Sequence, residues 1–167
     1  MYPILGSLRP MRRCSRCNYL GKPLAATMTK GILIADDSEV FRRAVRTYLT
    51  RHDFIVRGEA ADGTDLLKKA QELEPALIIV DFRMPYMNGV EVLSELKTRL
   101  PNVRIILVTM YDEVMGYESL MSAMGVDAII LKMECFDSLA QCARGLLTQS
   151  RSAAAAGHCN SPNETIM

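Results

Sequence analysis

The sequence lacks the long hydrophobic segments of membrane-spanning and secreted proteins. No apolar run reaches the roughly 18 to 20 residues that a bilayer-spanning helix needs, and the N-terminus carries no secretory apolar block. The cysteines number five, an odd count spread from Cys14 to Cys159, so they do not indicate a disulfide framework. We therefore expect a cytoplasmic protein with no membrane contact.

Acidic residues are absent from positions 1–27, which carry five arginine and lysine residues. Residues 28–149 are mildly acidic, because 18 acidic side chains stand against 14 basic ones. A nucleic-acid-binding domain would favour a basic face, so we expect no direct DNA binding by this segment.

The 167 residues, 49% of them hydrophobic, fit one domain. We predict a basic, disordered leader over 1–27, the domain over 28–149 and a disordered tail over 150–167.

Apolar segments of strand length alternate with segments of helical periodicity. The predicted strands lie within 32–35, 54–61, 76–81, 103–109 and 127–132, and each is followed by a predicted helix, the last over about 136–148. Nearly continuous apolar strands that alternate with helices are typical of a parallel sheet covered on both faces. The pattern therefore predicts a doubly wound α/β domain.

Helix boundaries are indicated by capping residues and breakers. The predicted N-cap of the first helix is Asp37 or Ser38, and that of the second is Asp62. Asn88 is the predicted cap of the third, in a capping box with Glu91, and Asp112 begins the fourth. The second helix is expected to end at Glu74, before Pro75, and the fourth at Gly125.

Polar residues recur where the apolar strands end. Asp36 and Asp37 follow the first strand, Asp81 ends the third, Thr109 the fourth and Lys132 the fifth. The carboxyl ends of parallel strands meet at one edge of such a sheet, where its ligand crevice lies. Each residue alone also has a plainer interpretation: an Asp there can cap a helix, a Thr can be a strand residue and a Lys can be solvated. Their recurrence at one edge favours a site.

The chemistry of this set is that of phosphoryl transfer. Asp37 and Asp81 can supply carboxylate oxygens to Mg²⁺, and Asp36 can hold one of its waters. Neighbouring carboxylates repel, and one would stay protonated unless a cation or donor groups compensate both, so the pair suggests a cation site. Asp81 can also act as a nucleophile, while Thr109 and Lys132 can offset the charge of the transferring group.

The motifs resemble those of the receiver domain of two-component response regulators. They are "ADD" at 35–37, "VDFRMPYMNG" at 80–89, "VT" at 108–109 and "LK" at 131–132, in this order. The resemblance covers residues 28–149 and is strongest to receivers attached to helix-turn-helix output domains. It implies a flavodoxin-like fold, a five-stranded parallel sheet of (βα)5 type with strand order 2-1-3-4-5.

The resemblance also implies a role for each site residue. In this sequence Asp81 would be the phosphorylated residue, and Asp36 and Asp37 would be the acid pair. Thr109 would supply the switch hydroxyl and Lys132 the cation that binds the phosphoryl group. The backbone carbonyl of Arg83 would be a third protein ligand to Mg²⁺. Such a chain is not a conventional enzyme, because it catalyses only its own phosphorylation and dephosphorylation.

Partners follow from the same resemblance. A sensor histidine kinase would donate the phosphoryl group, and exposed residues of the first helix, around Arg42, Arg43 and Arg46, would select it. The tail over 150–167 is too short for a helix-turn-helix domain, so we expect output through an unknown downstream protein. Homodimerisation on phosphorylation is compatible with the family.

Three positions depart from the family pattern. Ile129 stands where an aromatic residue is usual, Met133 where Pro often follows the lysine, and Met110 where a small residue is usual.

Two alternative functions stay open: a pseudo-receiver that binds protein without phosphorylation, which Ile129 favours, and an aspartyl-phosphate phosphatase. The second class typically needs an Asp two residues after the nucleophile, where this chain has Arg83.

Overall fold

A computed structural model of the chain describes residues 31–84, 89–110 and 118–148, except the side chain of Glu118. The strands are β1 (Ile32–Ala35), β2 (Val56–Ala60), β3 (Leu77–Asp81), β4 (Arg104–Thr109) and β5 (Ala128–Leu131). The α-helices are α1 (Glu39–Arg51), α2 (Gly63–Leu73), α3 (Gly89–Arg99), α4 (Glu118–Ala123) and α5 (Cys135–Thr148), and a 3-10 turn at Lys132–Glu134 precedes α5.

The five strands form one parallel sheet in the order β2-β1-β3-β4-β5. This confirms the predicted α/β class and the order 2-1-3-4-5. The three central strands are buried along their whole length, whereas β2 and β5 at the edges are partly exposed. Central strands covered on both faces exclude water from every side chain, which explains why they are nearly free of polar residues.

Helices cover both faces of the sheet, each over its own hydrophobic core. Alternate residues of β1 enter different cores: Leu33 packs with α2, α3 and α4, whereas Ile34 packs with α1 and α5. Burying one Leu or Ile side chain contributes about 1.5 to 3 kcal/mol relative to exposure. Because strand side chains alternate between faces, these two cores fix the register of the strands and therefore the positions of their ends.

The helix boundaries follow mostly from local sequence. Ser38, rather than Asp37, caps α1 by accepting a hydrogen bond from Phe41 N at 3.3 Å. Asp62 caps α2 as predicted. Glu74 ends α2 in the left-handed conformation, with φ of 42°, because the following proline disfavours right-handed helical geometry.

Several predictions lie outside the described residues. These are the leader over 1–27, the tail over 150–167, the Asn88 cap and the helix start at Asp112. Among the helices that are described, none combines the length and apolar character needed to cross a membrane.

Candidate functional site

The predicted site residues lie at the carboxyl edge of the sheet, where the strand order reverses between β1 and β3. Asp36 follows β1, Asp81 ends β3, Thr109 ends β4 and Lys132 follows β5. Asp81 pairs in register with Val108, the residue before Thr109. Such a reversal point leaves a crevice at the strand ends, because the helices that follow the strands cover opposite faces.

Three carboxylates meet in this crevice. One oxygen each of Asp36, Asp37 and Asp81 lies within 4.8 Å of the others. Asp36 and Asp81 are only 1% and 5% exposed, whereas Asp37 is exposed. Carboxylate groups this close repel one another and cost desolvation energy unless a cation compensates them.

Lys132 supplies part of the compensation. Its Nζ lies 2.8 Å from Asp36 Oδ2 and 2.8 Å from Asp81 Oδ2, so one ammonium bridges the two buried carboxylates. Burial alone would lower the pKa of Lys132, but the contacts with both carboxylates outweigh it and raise the pKa above its ordinary value. Lys132 is therefore charged at neutral pH.

The Asp81 carboxyl group remains under-compensated. Burial raises its pKa, the hydrogen bond and charge of Lys132 lower it, and the charge of Asp36 raises it further, so the pKa lies above the ordinary value. The second oxygen, Oδ1, accepts a long hydrogen bond of 3.4 Å from Arg83 N. A further cation at this position would favour the ionised form of Asp81.

One buried oxygen of the cluster shows the same deficit. Asp36 Oδ1 accepts a hydrogen bond from Ser38 N at 2.8 Å. Asp36 Oδ2 has no hydrogen-bond partner within the described part of the chain, since the nearby Lys132 ammonium makes an ion pair with it but no well-directed hydrogen bond. An all-oxygen set with spare acceptor capacity fits a hard divalent cation such as Mg²⁺.

The loop that carries Asp36 and Asp37 is held by a residue of α1. Arg42 Nη1 donates to the carbonyl oxygens of Asp36 at 2.7 Å and Asp37 at 3.2 Å, and Arg42 Nε lies 3.4 Å from Glu59 Oε2. The sequence interpretation that placed Arg42 among the exposed helix residues is wrong, since its side chain is only 13% exposed. No local pattern indicates the contact of Arg42 with Glu59, which lies 17 residues further along the chain.

For the other residues singled out in the sequence, the structure gives burial but fewer contacts with the site. Thr109 is fully buried at the end of β4, and Ile129 is partly buried against the core shared with α3 and α4. The role of the Arg83 carbonyl stays a prediction. The sequence reasoning missed an aromatic neighbour of the site: Lys132 Nζ lies 5.0 Å from the ring centroid of Phe41, which is a cation–π distance.

Sequence comparisons agree with this geometry. The family model described as the response regulator receiver domain matches residues 32–144. The response regulator protein VraR of Staphylococcus saprophyticus is 38% identical over 115 residues, which cover 68% of this chain and 54% of the relative. VraR of Staphylococcus aureus is 36% identical over 118 residues, covering 70% and 56%. The chain thus spans about half the length of the curated relatives it matches.

Solved structures give the same result. A DNA-binding response regulator of the LuxR family from Staphylococcus aureus superimposes with a TM-score of 0.64 at 30% identity, over 70% of this chain and 97% of that one. A CheY-like receiver domain protein from Methanospirillum hungatei gives 0.64 at 25% identity, over 70% and 91%. Together with the strand order and the acidic crevice, these matches show that the chain belongs to the response regulator receiver domain family.

Proposed function

We propose that this chain is a phosphoacceptor receiver, in which a sensor histidine kinase transfers a phosphoryl group to Asp81 with Mg²⁺ as cofactor. The observation that carries the proposal is the buried Asp81 carboxylate, 2.8 Å from the Lys132 ammonium and inside a cluster of three carboxylates. A structural ion pair needs only one acid and one base. Two further acids beside the pair favour a site built for a divalent cation and a phosphoryl group.

The transfer conserves atoms and charge as follows. An ionised oxygen of Asp81 attacks phosphorus, the P–N bond of the phosphohistidine breaks, and a P–O bond to Asp81 forms, while the imidazole leaves and takes up a proton. Mg²⁺, when bound, would offset charge on the phosphoryl oxygens and on the carboxylates. Asp36, Asp37, Asp81 and the carbonyl of Arg83 would hold it.

Lys132 and Thr109 have separate roles in this proposal. Lys132 is already charged and bridges Asp36 and Asp81, so it can shift its contact to a phosphoryl oxygen on Asp81 without a proton transfer. Thr109 lies at the end of the neighbouring strand, and its hydroxyl can donate to the same group. Movement of these two side chains would bias the surface formed by α4 and β5 between two states.

The partners are inferred from the family and from exposed surfaces. A groove of about 530 Å³ runs beside α1 and α5, and Arg43, Tyr48, Arg51 and Phe136 are among its lining residues. We propose that the histidine kinase contacts this exposed part of α1, and that output proceeds through contact with a downstream protein or through homodimerisation. The acidic balance of residues 28–149 favours protein contact over DNA binding by the domain.

The test is intact-protein mass spectrometry after incubation with acetyl phosphate and Mg²⁺. We expect a mass gain of one phosphoryl group in the wild type and none in Asp81→Asn or without Mg²⁺. Asp127→Asn is the matched control, because Asp127 is another nearly buried acid but directly precedes β5, at the opposite edge of the sheet. Gain in Asp81→Asn equal to that of the wild type would contradict the assignment of the phosphorylated residue.

A second candidate function, a pseudo-receiver that binds protein without phosphorylation, is favoured by Ile129. An aliphatic residue there removes the aromatic side chain whose rotation accompanies movement of the threonine in the family. Absence of any mass gain, with acetyl phosphate and with a panel of phosphorylated histidine kinases, would support this candidate over the first.

A further inference from the structure

Arg42 lies close to the acidic crevice and yet avoids its carboxylates. Its guanidinium contacts the backbone carbonyl oxygens of Asp36 and Asp37, at 2.7 Å and 3.2 Å, through one nitrogen, Nη1. A guanidinium beside carboxylates ordinarily forms bidentate ion pairs with them. Here the side chains of the acid pair remain directed at the crevice, while the backbone that carries them is fixed from behind.

The charge of Arg42 is met by a different acid. Glu59 of β2 lies 3.4 Å from Arg42 Nε and also pairs with Arg46 Nε. Burial tends to raise the pKa of Glu59, but hydrogen bonds and charge from Arg46 and then Arg42 outweigh it and lower the pKa. Glu59 is therefore ionised at neutral pH and gives Arg42 a carboxylate partner outside the crevice.

From these contacts we infer that Arg42 is a positioning residue for the metal site, a role that rests on the proposed function. Two successive carbonyl groups can accept from one nitrogen only in a narrow range of peptide orientations, so Arg42 restricts the backbone at Asp36 and Asp37. A restricted backbone fixes the directions of the Cα–Cβ bonds of Asp36 and Asp37, and this pre-arranges their carboxylates for a divalent cation. Partners behind metal ligands typically change metal affinity by about 10- to 100-fold when they are removed.

The neighbouring Arg43 provides a matched control. It lies on the same turn of α1 and carries the same charge, but its partner is Glu39, at 3.7 Å, and both side chains are exposed. Arg43→Ala therefore removes a positive charge near the site without changing the loop contacts. Any effect of charge alone on Mg²⁺ binding is measured by this variant.

The experiment is a calorimetric titration of the unphosphorylated full chain with Mg²⁺. For Arg42→Ala we expect an affinity about 10-fold below that of the wild type, and for Arg43→Ala a change within about twofold, because exposed charges are screened. Arg42→Lys should recover only part of the loss, since one ammonium lacks the planar fork that reaches two carbonyl groups and Glu59 together. This variant also serves as the test if Arg42→Ala does not fold.

A second readout needs no metal. Ser38 N donates to Asp36 Oδ1 in the loop that Arg42 holds, so amide hydrogen exchange at Ser38 should become faster in metal-free Arg42→Ala. Exchange in β3 should stay at the wild-type rate. Equally faster exchange throughout the sheet would indicate a merely structural role and would overturn the inference.

The two proposals fail in different ways. If the wild type binds Mg²⁺ and Arg42→Ala binds it equally well, or if Arg43→Ala is weakened as much as Arg42→Ala, the positioning role is wrong and the proposed function stands. If the wild type neither binds Mg²⁺ nor gains a phosphoryl group, both proposals are wrong.

Discussion

Two clusters of charged residues lie at opposite edges of the same sheet, and they differ in how their carboxylates are compensated. At the amino edge, the single carboxylate of Asp127 meets Arg104 Nη1 at 2.7 Å, Lys97 Nζ at 3.5 Å and the backbone N–H of Ile105 at 2.9 Å. At the carboxyl edge, the carboxylates of Asp36 and Asp81 share one lysine.

The difference separates a cluster that stabilises the fold from one suited to a ligand. A nearly buried carboxylate with two cations and a backbone donor has little capacity left, so the Asp127 cluster ties α3 and β4 to the start of β5. The carboxyl-edge cluster has more negative than positive groups, and the buried oxygen Asp36 Oδ2 has only an ion pair with the Lys132 ammonium, which Asp81 shares, and no hydrogen bond among the described residues. Such a deficit costs stability until a cation binds.

The largest expected effect on stability comes from the amino edge. Asp127→Asn would leave the nearly buried Arg104 and Lys97 without their carboxylate, so we expect the free energy of unfolding to fall by about 3 kcal/mol. Urea unfolding followed by circular dichroism measures this loss. Mg²⁺ affinity should stay unchanged, and a weakened affinity in the folded variant would contradict the separation of the two clusters.

At the carboxyl edge we expect a substitution to change Mg²⁺ affinity strongly and metal-free stability little, the reverse of Asp127→Asn. Asp37 is exposed, so Asp37→Asn should change the metal-free free energy of unfolding by less than about 0.5 kcal/mol. Mg²⁺ at 100 times its dissociation constant should stabilise the wild type by about 2.7 kcal/mol. A tenfold weaker affinity in Asp37→Asn would reduce this gain to about 1.4 kcal/mol at the same concentration. Equal stabilisation of both proteins in urea titrations with and without Mg²⁺ would contradict a metal role for Asp37.

A smaller, pH-dependent effect is expected at Glu59, which supports the carboxyl edge from behind. Its pKa is lowered below the ordinary value of 4.5 in the folded state, so the unfolded chain binds more protons and the stabilisation is present above that value. Glu59→Gln should therefore be less stable than the wild type at pH 7, by about 1 kcal/mol at most. The difference should diminish as the pH falls below 4.5 through the folded-state pKa. A difference in urea midpoints that stays constant from pH 7 to acid would show that charge is not the cause.

The two clusters also differ in how far they could be predicted from the sequence. Asp36, Asp81 and Lys132 each end an uninterrupted apolar run, and parallel topology brings such ends together, so local pattern was sufficient to find them. The Arg104–Asp127 pair is separated by 23 residues and the Arg42–Glu59 pair by 17. No local pattern indicates either contact, because each depends on how whole elements pack.

The smallest expected effect concerns access of water to the carboxyl edge. Met110 follows Thr109 directly and is 44% exposed, and a bulky residue at this edge would narrow the path of water to the crevice. We expect Met110→Ala to admit water more readily and to speed hydrolysis of phosphorylated Asp81 about threefold, which corresponds to about 0.6 kcal/mol in activation free energy. Loss of the phosphoryl mass with time, after removal of the phosphodonor, measures this rate.

Met133→Ala is the control for Met110→Ala. Met133 follows Lys132 as Met110 follows Thr109, but it is 77% exposed. We expect its hydrolysis rate to remain near that of the wild type. If both variants hydrolyse at the wild-type rate, Met110 does not limit access. If both are faster by the same factor, the effect comes from a general loosening of the crevice rim and not from the side chain beside Thr109.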